Sequence, residues 1–249
     1  MRGPCLLLIG LLALLPAHAQ ECRVATIAGN ADWSPFTLVG RDGQLSGAGI
    51  EIARDAFASL HIETKLGDAE PWARALASLE SGRTDLIVSA YWTAERTERF
   101  LYTIPYAEDR ITVFMKASAP FAMNGLGDLE GRTGVAPFGA NFGDEITAFL
   151  QRDPHISFNN SKQGMFRQVL TPRVDYALLA LRNGERILAQ MGLTGTIVPA
   201  PQPLAVNKVY MLMSRNSPCA ARLPALNAAL AALAADGTID RLIAAAESS

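Results

Sequence analysis

Few side chains in this sequence could do covalent or metal chemistry. Of the three histidines His18 lies near the N-terminus, and His61 and His155 stand far apart, neither with a nearby cysteine or histidine at metal-ligand spacing. A catalytic zinc and a Ser-His-Asp site are therefore disfavoured, and no metal or cofactor is expected. The chemistry that remains is recognition. Arg96, in Thr93-Ala94-Glu95-Arg96, carries a planar, permanently charged fork that matches the two oxygens of a carboxylate. Its neighbours Glu95, Glu98 and Arg99 favour a plainer reading when taken alone, a surface arginine on a short charged helix.

The composition narrows the class. A chain of 249 residues with 49% hydrophobic and 18% charged residues is too apolar for a disordered protein. A formal net charge of −2 gives no basic excess for neutralising phosphates, so no nucleic-acid partner is expected. The first residues have a separate logic. Arg2 gives a basic start, Cys5 to Leu15 is an almost pure apolar run, and Ala17-His18-Ala19 supplies small residues where a signal peptidase reads. The run is too short to span a bilayer core. Residues 1–19 are thus expected to be a signal peptide cleaved after Ala19, leaving a soluble, exported chain. Glu21 and Gln20 before Cys22 do not suit a lipid-anchored cysteine. Cys22 and Cys219 then remain as a lone pair in an oxidising compartment, where a bridge is expected; two unrelated buried thiols are the alternative.

Apolar periodicity alternates between strand and helix along the rest. Strands are expected at Val24 to Ala28, Leu86 to Val88, Ile111 to Met115, Thr133 to Ala136 and Tyr176 to Leu179. Helices are expected at Gly49 to Leu60, Trp72 to Ser81, near Gly143 to Gln151, near Ser161 to Leu170, and twice near the C-terminus, where Gly237 stops one helix and Thr238 can cap the next. This is α/β architecture with mostly parallel sheets. One echo stands out. Gly82-Arg83-Thr84-Asp85 and Pro172-Arg173-Val174-Asp175 each follow a helix end and enter a hydrophobic strand. Two such units suggest two similar lobes, or else a chance likeness of common turns, with each Asp a turn or cap residue.

Several segments, in order, resemble the family 3 extracellular solute-binding proteins, the polar amino acid receptors of bacterial ABC importers. Thr93-Ala94-Glu95-Arg96 followed by Tyr102-Thr103-Ile104-Pro105-Tyr106 is similar to their T-x-E-R…F-S-x-P-Y signature. Trp33-Ser34-Pro35-Phe36, Asp42-Gly43 to Gly47, Leu79 to Asp85, Asp128 to Gly131 and Leu233 to Leu242 resemble further family elements. Each is weak alone. The resemblance implies a type II periplasmic-binding fold, two α/β lobes joined by two crossover strands that form a hinge. Those crossovers would fall near Ile111 to Lys116 and Val209 to Ser214. Lobe 1 would be discontinuous, residues 20–113 and 212–249, with lobe 2 at 114–211; both cysteines would then lie in lobe 1.

The same resemblance implies a ligand site in the cleft. Arg96 matches the arginine that clamps the ligand carboxylate. Trp33 and Trp72 match cleft aromatics whose flat faces sandwich a ligand side chain, although Trp72 suits the core equally well. Asn30 stands where amino acid receptors are often acidic, and Tyr91 where they place a small Ser or Thr. Gly139 and Asn141 fall in the turn whose backbone N–H groups reach the carboxylate at a helix N-terminus; capping that helix is the alternative for Asn141. Ala180 falls where amino acid receptors carry the Asp that pairs with the ligand ammonium. The implied function is capture of a small carboxylate-bearing, amino-acid-like solute between two lobes, without chemistry, by a periplasmic monomer serving an inner-membrane ABC permease. A sensor or accessory module and a dehydratase-like enzyme on the same fold are the alternatives.

Overall fold

The computed structural model describes residues 22–40 and 42–247; the expected signal peptide and its cleavage site lie outside them. The chain opens with β1 (Val24–Ala28), β2 (Asp32–Trp33), β3 (Thr37–Val39), β4 (Leu45–Ser46), α1 (Ala48–Ala58), β5 (Glu63–Leu66), α2 (Trp72–Glu80) and β6 (Leu86–Tyr91). It continues with α3 (Ala94–Arg99), β7 (Phe100–Tyr102), β8 (Ala107–Lys116), β9 (Gly134–Pro137), α4 (Asp144–Arg152), β10 (Ile156–Asn159) and α5 (Lys162–Val169). It closes with β11 (Tyr176–Ala180), α6 (Leu181–Gln190), β12 (Ile197–Pro199), β13 (Ala205–Ser214), α7 (Leu223–Ala235) and α8 (Thr238–Glu247).

The main sheet runs β10-β9-β11-β8-β13-β6-β1-β5, with β12 on β8 and β7 on β13. Its two ends have the same build. In one half β1 lies parallel to β5 and β6; in the other β9 lies parallel to β10 and β11. Every residue of β6 and β11 is buried, as expected of strands covered by helices on both faces. The halves meet at β8 and β13. Ala107–Ile111 pairs antiparallel with Ala205–Val209. The strands then part, β8 continuing along β11 through Thr112–Met115 and β13 along β6 through Leu212 and Met213. Both strands begin four residues before the expected crossovers, because they pair with each other before they diverge. The fold is the two-lobed, type II α/β arrangement.

The internal echo has a physical meaning. Asp85 donates its N–H to the Thr26 carbonyl at 2.9 Å and takes the Thr26 N–H on its carboxylate at 2.7 Å. Asp175 does the same with Thr133, at 2.8 Å and 2.9 Å. Each Asp therefore locks the strand it begins onto the parallel strand beside it, once in each half. Both are structural residues.

The N-terminal and C-terminal segments are joined. Cys22 and Cys219 form a disulfide with an S–S distance of 2.01 Å. Helix α1 packs on both α7 and α8, burying Ile50, Ala53 and Phe57, three residues of its expected apolar face. Gly237 takes φ +75° at the end of α7, a left-handed turn that a side chain would strain. Thr238 departs from expectation. It is the first residue of α8, and its hydroxyl accepts from the Arg241 guanidinium at 2.7 Å rather than capping the helix.

Candidate functional site

A cavity of about 280 Å³ lies between the two halves of the sheet. It is built at the carboxyl ends of β1, β6, β9, β10 and β11, where the loops of open α/β sheets gather to bind ligands. Every residue singled out from the sequence as a candidate ligand contact lines it: Asn30, Trp33, Trp72, Tyr91, Arg96, Gly139 and Asn141. So does Ala180, the last residue of β11.

Arg96 is positioned by a short, well-specified turn. Thr93 precedes α3 and accepts the Arg96 N–H on its hydroxyl at 3.3 Å, capping the helix. The guanidinium lies over the Trp72 indole, 5.1 Å from the ring centroid, and donates to the Tyr91 carbonyl at 3.0 Å. Burial lowers the Arg96 pKa from the ordinary arginine value, but a guanidinium stays charged. Among the described residues no carboxylate forms an ion pair with it. Trp72 both lines the cavity and packs on the core. It begins α2, packs against the cluster around Leu79 and Phe100, and turns its ring toward Arg96.

Tyr91 uses its hydroxyl inside the protein. The hydroxyl donates to Asp109 Oδ2 at 2.8 Å, and the Trp33 indole N–H donates to the same oxygen at 2.9 Å. The two rings meet edge to face, with centroids 4.6 Å apart. Asp109, on β8, is 1% exposed, and its Oδ1 has no hydrogen-bond partner among the described residues. Burial raises the carboxyl above its ordinary pKa, against the two hydrogen bonds, which lower it. The Tyr91 phenol is pushed well above the usual tyrosine range, by burial first and by Asp109 second. Tyr91 thus contributes a wall to the cavity while its donor holds Trp33 in place through Asp109.

The opposite wall comes from the segment Pro137 to Phe142. Gly139 takes φ +70°, and Phe138 beside it is 75% exposed at the mouth. Helix α4 starts at Asp144, with Gly143 in the capping position. Gly139 therefore lies in the turn that precedes α4. Asn141 does not cap the helix. Its Oδ1 accepts from the Gly143 N–H at 3.0 Å and the Thr147 hydroxyl at 3.3 Å, folding the loop ahead of α4.

The structure adds three site residues that the sequence reading missed. Lys162, the first residue of α5, reaches across the cavity to Asp32, at 3.1 Å from its carboxylate, and also donates to its main-chain carbonyl. Asn183, on α6, donates to that carbonyl at 3.4 Å. Burial lowers the Lys162 pKa from the usual lysine value, while Asp32 opposes the shift. No spacing rule marks these residues, because each reaches its partner only through the tertiary fold. Among the described residues no group of His, Cys, Asp and Glu could hold a metal ion. No described helix is long and apolar enough to cross a membrane.

Comparison with known proteins agrees with this geometry. The family model for bacterial extracellular solute-binding proteins, family 3, matches residues 25–245. The L-cystine-binding protein TcyJ of Escherichia coli K12 is 27% identical over 120 residues, 48% of this chain and 45% of that protein. The match therefore spans about half the length of that relative. Among solved structures, a histidine kinase sensor domain with similarity to periplasmic binding proteins superposes with a TM-score of 0.76 at 21% identity, covering 90% of this chain and 96% of that one. The amino acid ABC transporter substrate-binding protein AbpA of Streptococcus pneumoniae, bound to L-arginine, gives a TM-score of 0.74 at 21% identity, covering 91% and 95%.

Proposed function

We propose that this chain, which belongs to the bacterial extracellular solute-binding proteins of family 3, captures a small carboxylate-bearing, amino-acid-like solute in the cavity between its lobes. One observation carries this reading. Arg96 holds a half-buried guanidinium at the cavity, stacked on Trp72 and without a carboxylate partner among the described residues. Burying a charge without a counter-charge is costly. A ligand carboxylate would supply the counter-charge in the bidentate geometry that a guanidinium favours. Trp33 and Phe142 would hold the rest of the ligand on apolar faces.

In this reading the protein performs no chemistry. It is an exported monomer that delivers its solute to an inner-membrane ABC permease. The lobes are residues 20–113 with 212–249, and 114–211. Their boundaries fall within β8 and β13, where each strand passes from one half of the sheet to the other. Ligand touching both lobes biases an open–closed equilibrium.

A thermal-shift screen of carboxylates, run on wild type and Arg96→Ala, tests the reading. A ligand that raises the wild-type Tm should leave Arg96→Ala unmoved. The same rise in both proteins would remove Arg96 from the site.

A further inference from the structure

Asp32 is the one carboxylate among the described residues that line the cavity. Its backbone is held from three directions. The N–H donates to Asn30 Oδ1 at 3.2 Å, the residue pairs with Leu38 of β3, and the carbonyl accepts from Lys162 and Asn183 of the opposite wall. The side chain is 56% exposed, so a solute can reach it while its position is fixed. Its Oδ2 pairs with the Lys162 ammonium at 3.1 Å. Its Oδ1 has no partner among the described residues.

The partner of Oδ2 shows what this carboxylate takes. Lys162 brings an alkylammonium, the same group that an amino-acid-like solute carries. A carboxylate has lone pairs for several donors, so Oδ1 can hold a second nitrogen while Oδ2 keeps Lys162. The charges agree. Arg96 and Lys162 line the cavity with Asp32, and Asp109 acts on Lys162 from behind Trp33. Two cations and two carboxylates balance. A solute with one charge of each sign keeps that balance once water is excluded, whereas a simple carboxylate adds an uncompensated negative charge. Asp32 also shares a wall with Arg96. Trp33, its neighbour in the chain, packs on Tyr91 with ring centroids 4.6 Å apart, and the Tyr91 carbonyl holds the Arg96 guanidinium at 3.0 Å.

We propose that Asp32 receives a cationic nitrogen of the solute at Oδ1 while Arg96 takes its carboxylate, so that the cavity selects zwitterions over simple carboxylates. The inference rests on the reading of this cavity as a carboxylate site and narrows its ligand class. Asp32 is then the residue that sets specificity. Lys162 is its internal rival, a cation of the protein on the same carboxylate. The nitrogen can come from the 2-position or from the far end of a side chain, and the two sources share this chemistry.

Isothermal titration at neutral pH tests it with three matched pairs, each differing in one nitrogen: leucine against 4-methylpentanoate, phenylalanine against 3-phenylpropionate, and 6-aminohexanoate against hexanoate. The first two pairs carry the nitrogen beside the carboxylate, the third at the far end of the chain. In at least one pair the zwitterion should bind about tenfold or more tighter than its partner. Asp32→Asn should bring that pair to within about twofold, because both acids lose the Lys162 contact equally and only one loses an anion. Lys162→Met removes the rival cation and should widen the preference; should Asp32→Asn fail to fold, this variant carries the test. A preference that survives Asp32→Asn intact, or that Lys162→Met narrows, overturns the inference. Equal binding within all three pairs, dependent on Arg96, overturns it and leaves the carboxylate reading standing. Binding that ignores Arg96→Ala, or no binding by any of the six acids, overturns both.

Discussion

Tyr91→Phe isolates one buried interaction of the site. Asp109 is 1% exposed and, among the described residues, its side chain accepts at Oδ2 alone, from Tyr91 at 2.8 Å and from Trp33 at 2.9 Å. The substitution removes one of these donors and keeps the ring that packs against Trp33. A hydrogen bond to a charged group is worth about 1.5–3 kcal/mol, and the burial of Asp109 excludes water as a substitute. The expected loss at neutral pH is therefore about 2 kcal/mol. At roughly 2–4 °C per kcal/mol for a chain of this size, Tm should fall by about 4–8 °C.

The loss should also depend on pH, with a defined sign. Burial raises the Asp109 carboxyl above its ordinary value of 3.8. Between the unfolded and the raised native pKa the native state binds more protons, so stability attributable to this group falls as pH rises from about 4 through the native value. A protonated carboxyl needs the Tyr91 donor less, so Tyr91→Phe should cost least at the acid end and most once Asp109 is ionised. In an Asp109→Asn background the cost should shrink to that of a neutral hydrogen bond, about 1 kcal/mol, and lose its pH dependence. Calorimetric melting of wild type, both single variants and the double variant between about pH 4 and pH 8 measures all four quantities. A loss below about 0.5 kcal/mol at neutral pH, or one that does not grow with pH, would refute an ionised, buried acceptor behind Trp33.

Two further outcomes follow from the frame of the fold. The disulfide closes a loop with a sequence separation of 197, so replacing Cys22 and Cys219 by serine should cost up to about 5 kcal/mol by chain entropy; equal melting temperatures of oxidised and serine forms would contradict this. Gly47 leads into α1 at φ +118°, and a Cβ there would sit 2.6 Å from the Phe36 carbonyl oxygen. Gly47→Ala should therefore destabilise by about 2 kcal/mol or more in a denaturation curve, and a neutral result would show that the turn is free to move.

The sequence made the fold legible where burial was continuous. Strands β6 and β11, wholly buried, announce themselves as apolar runs, and α1 as a stripe at helical spacing. Strands β5 and β10 gave no such signal. They lie at the two ends of the sheet path, with every residue partly or fully exposed, and carry no apolar run to mark them. The site divided along the same line. Arg96 and Trp33 were legible because they sit in ordered motifs that follow β6 and β1. Asp109, Lys162 and Asn183 were not. Asp109 sits between Glu108 and Arg110 at the charged start of β8, and its partners are 18 and 76 residues away. Asn183 and Lys162 meet Asp32 across 151 and 130 residues. Contacts of that range leave no periodic trace in one sequence.

The balance of forces across the cavity depends on how weak the direct contacts between its walls are. Asp32 is touched from the opposite side by Lys162 and Asn183. An ion pair with a partner as exposed as Asp32 contributes about 0–1 kcal/mol, and a neutral hydrogen bond at 3.4 Å no more than about 1 kcal/mol. Together these fall well short of the roughly 5.5 kcal/mol needed to move a two-state equilibrium from one extreme to the other. Arg182 on α6 adds an ion pair to Glu247 on α8 at 2.5 Å and donates to the Glu108 carbonyl at 2.8 Å, and at such exposure these too contribute about 0–1 kcal/mol each, so the hinge stays poised for a ligand to decide the outcome. The group with most to gain is Arg96, half-buried and without a counter-ion among the described residues, where a charge-assisted contact is worth about twice a neutral one. Under the proposed capture mechanism, closure is therefore driven by the carboxylate at Arg96. The Asp32 contacts set the geometry in which closure ends.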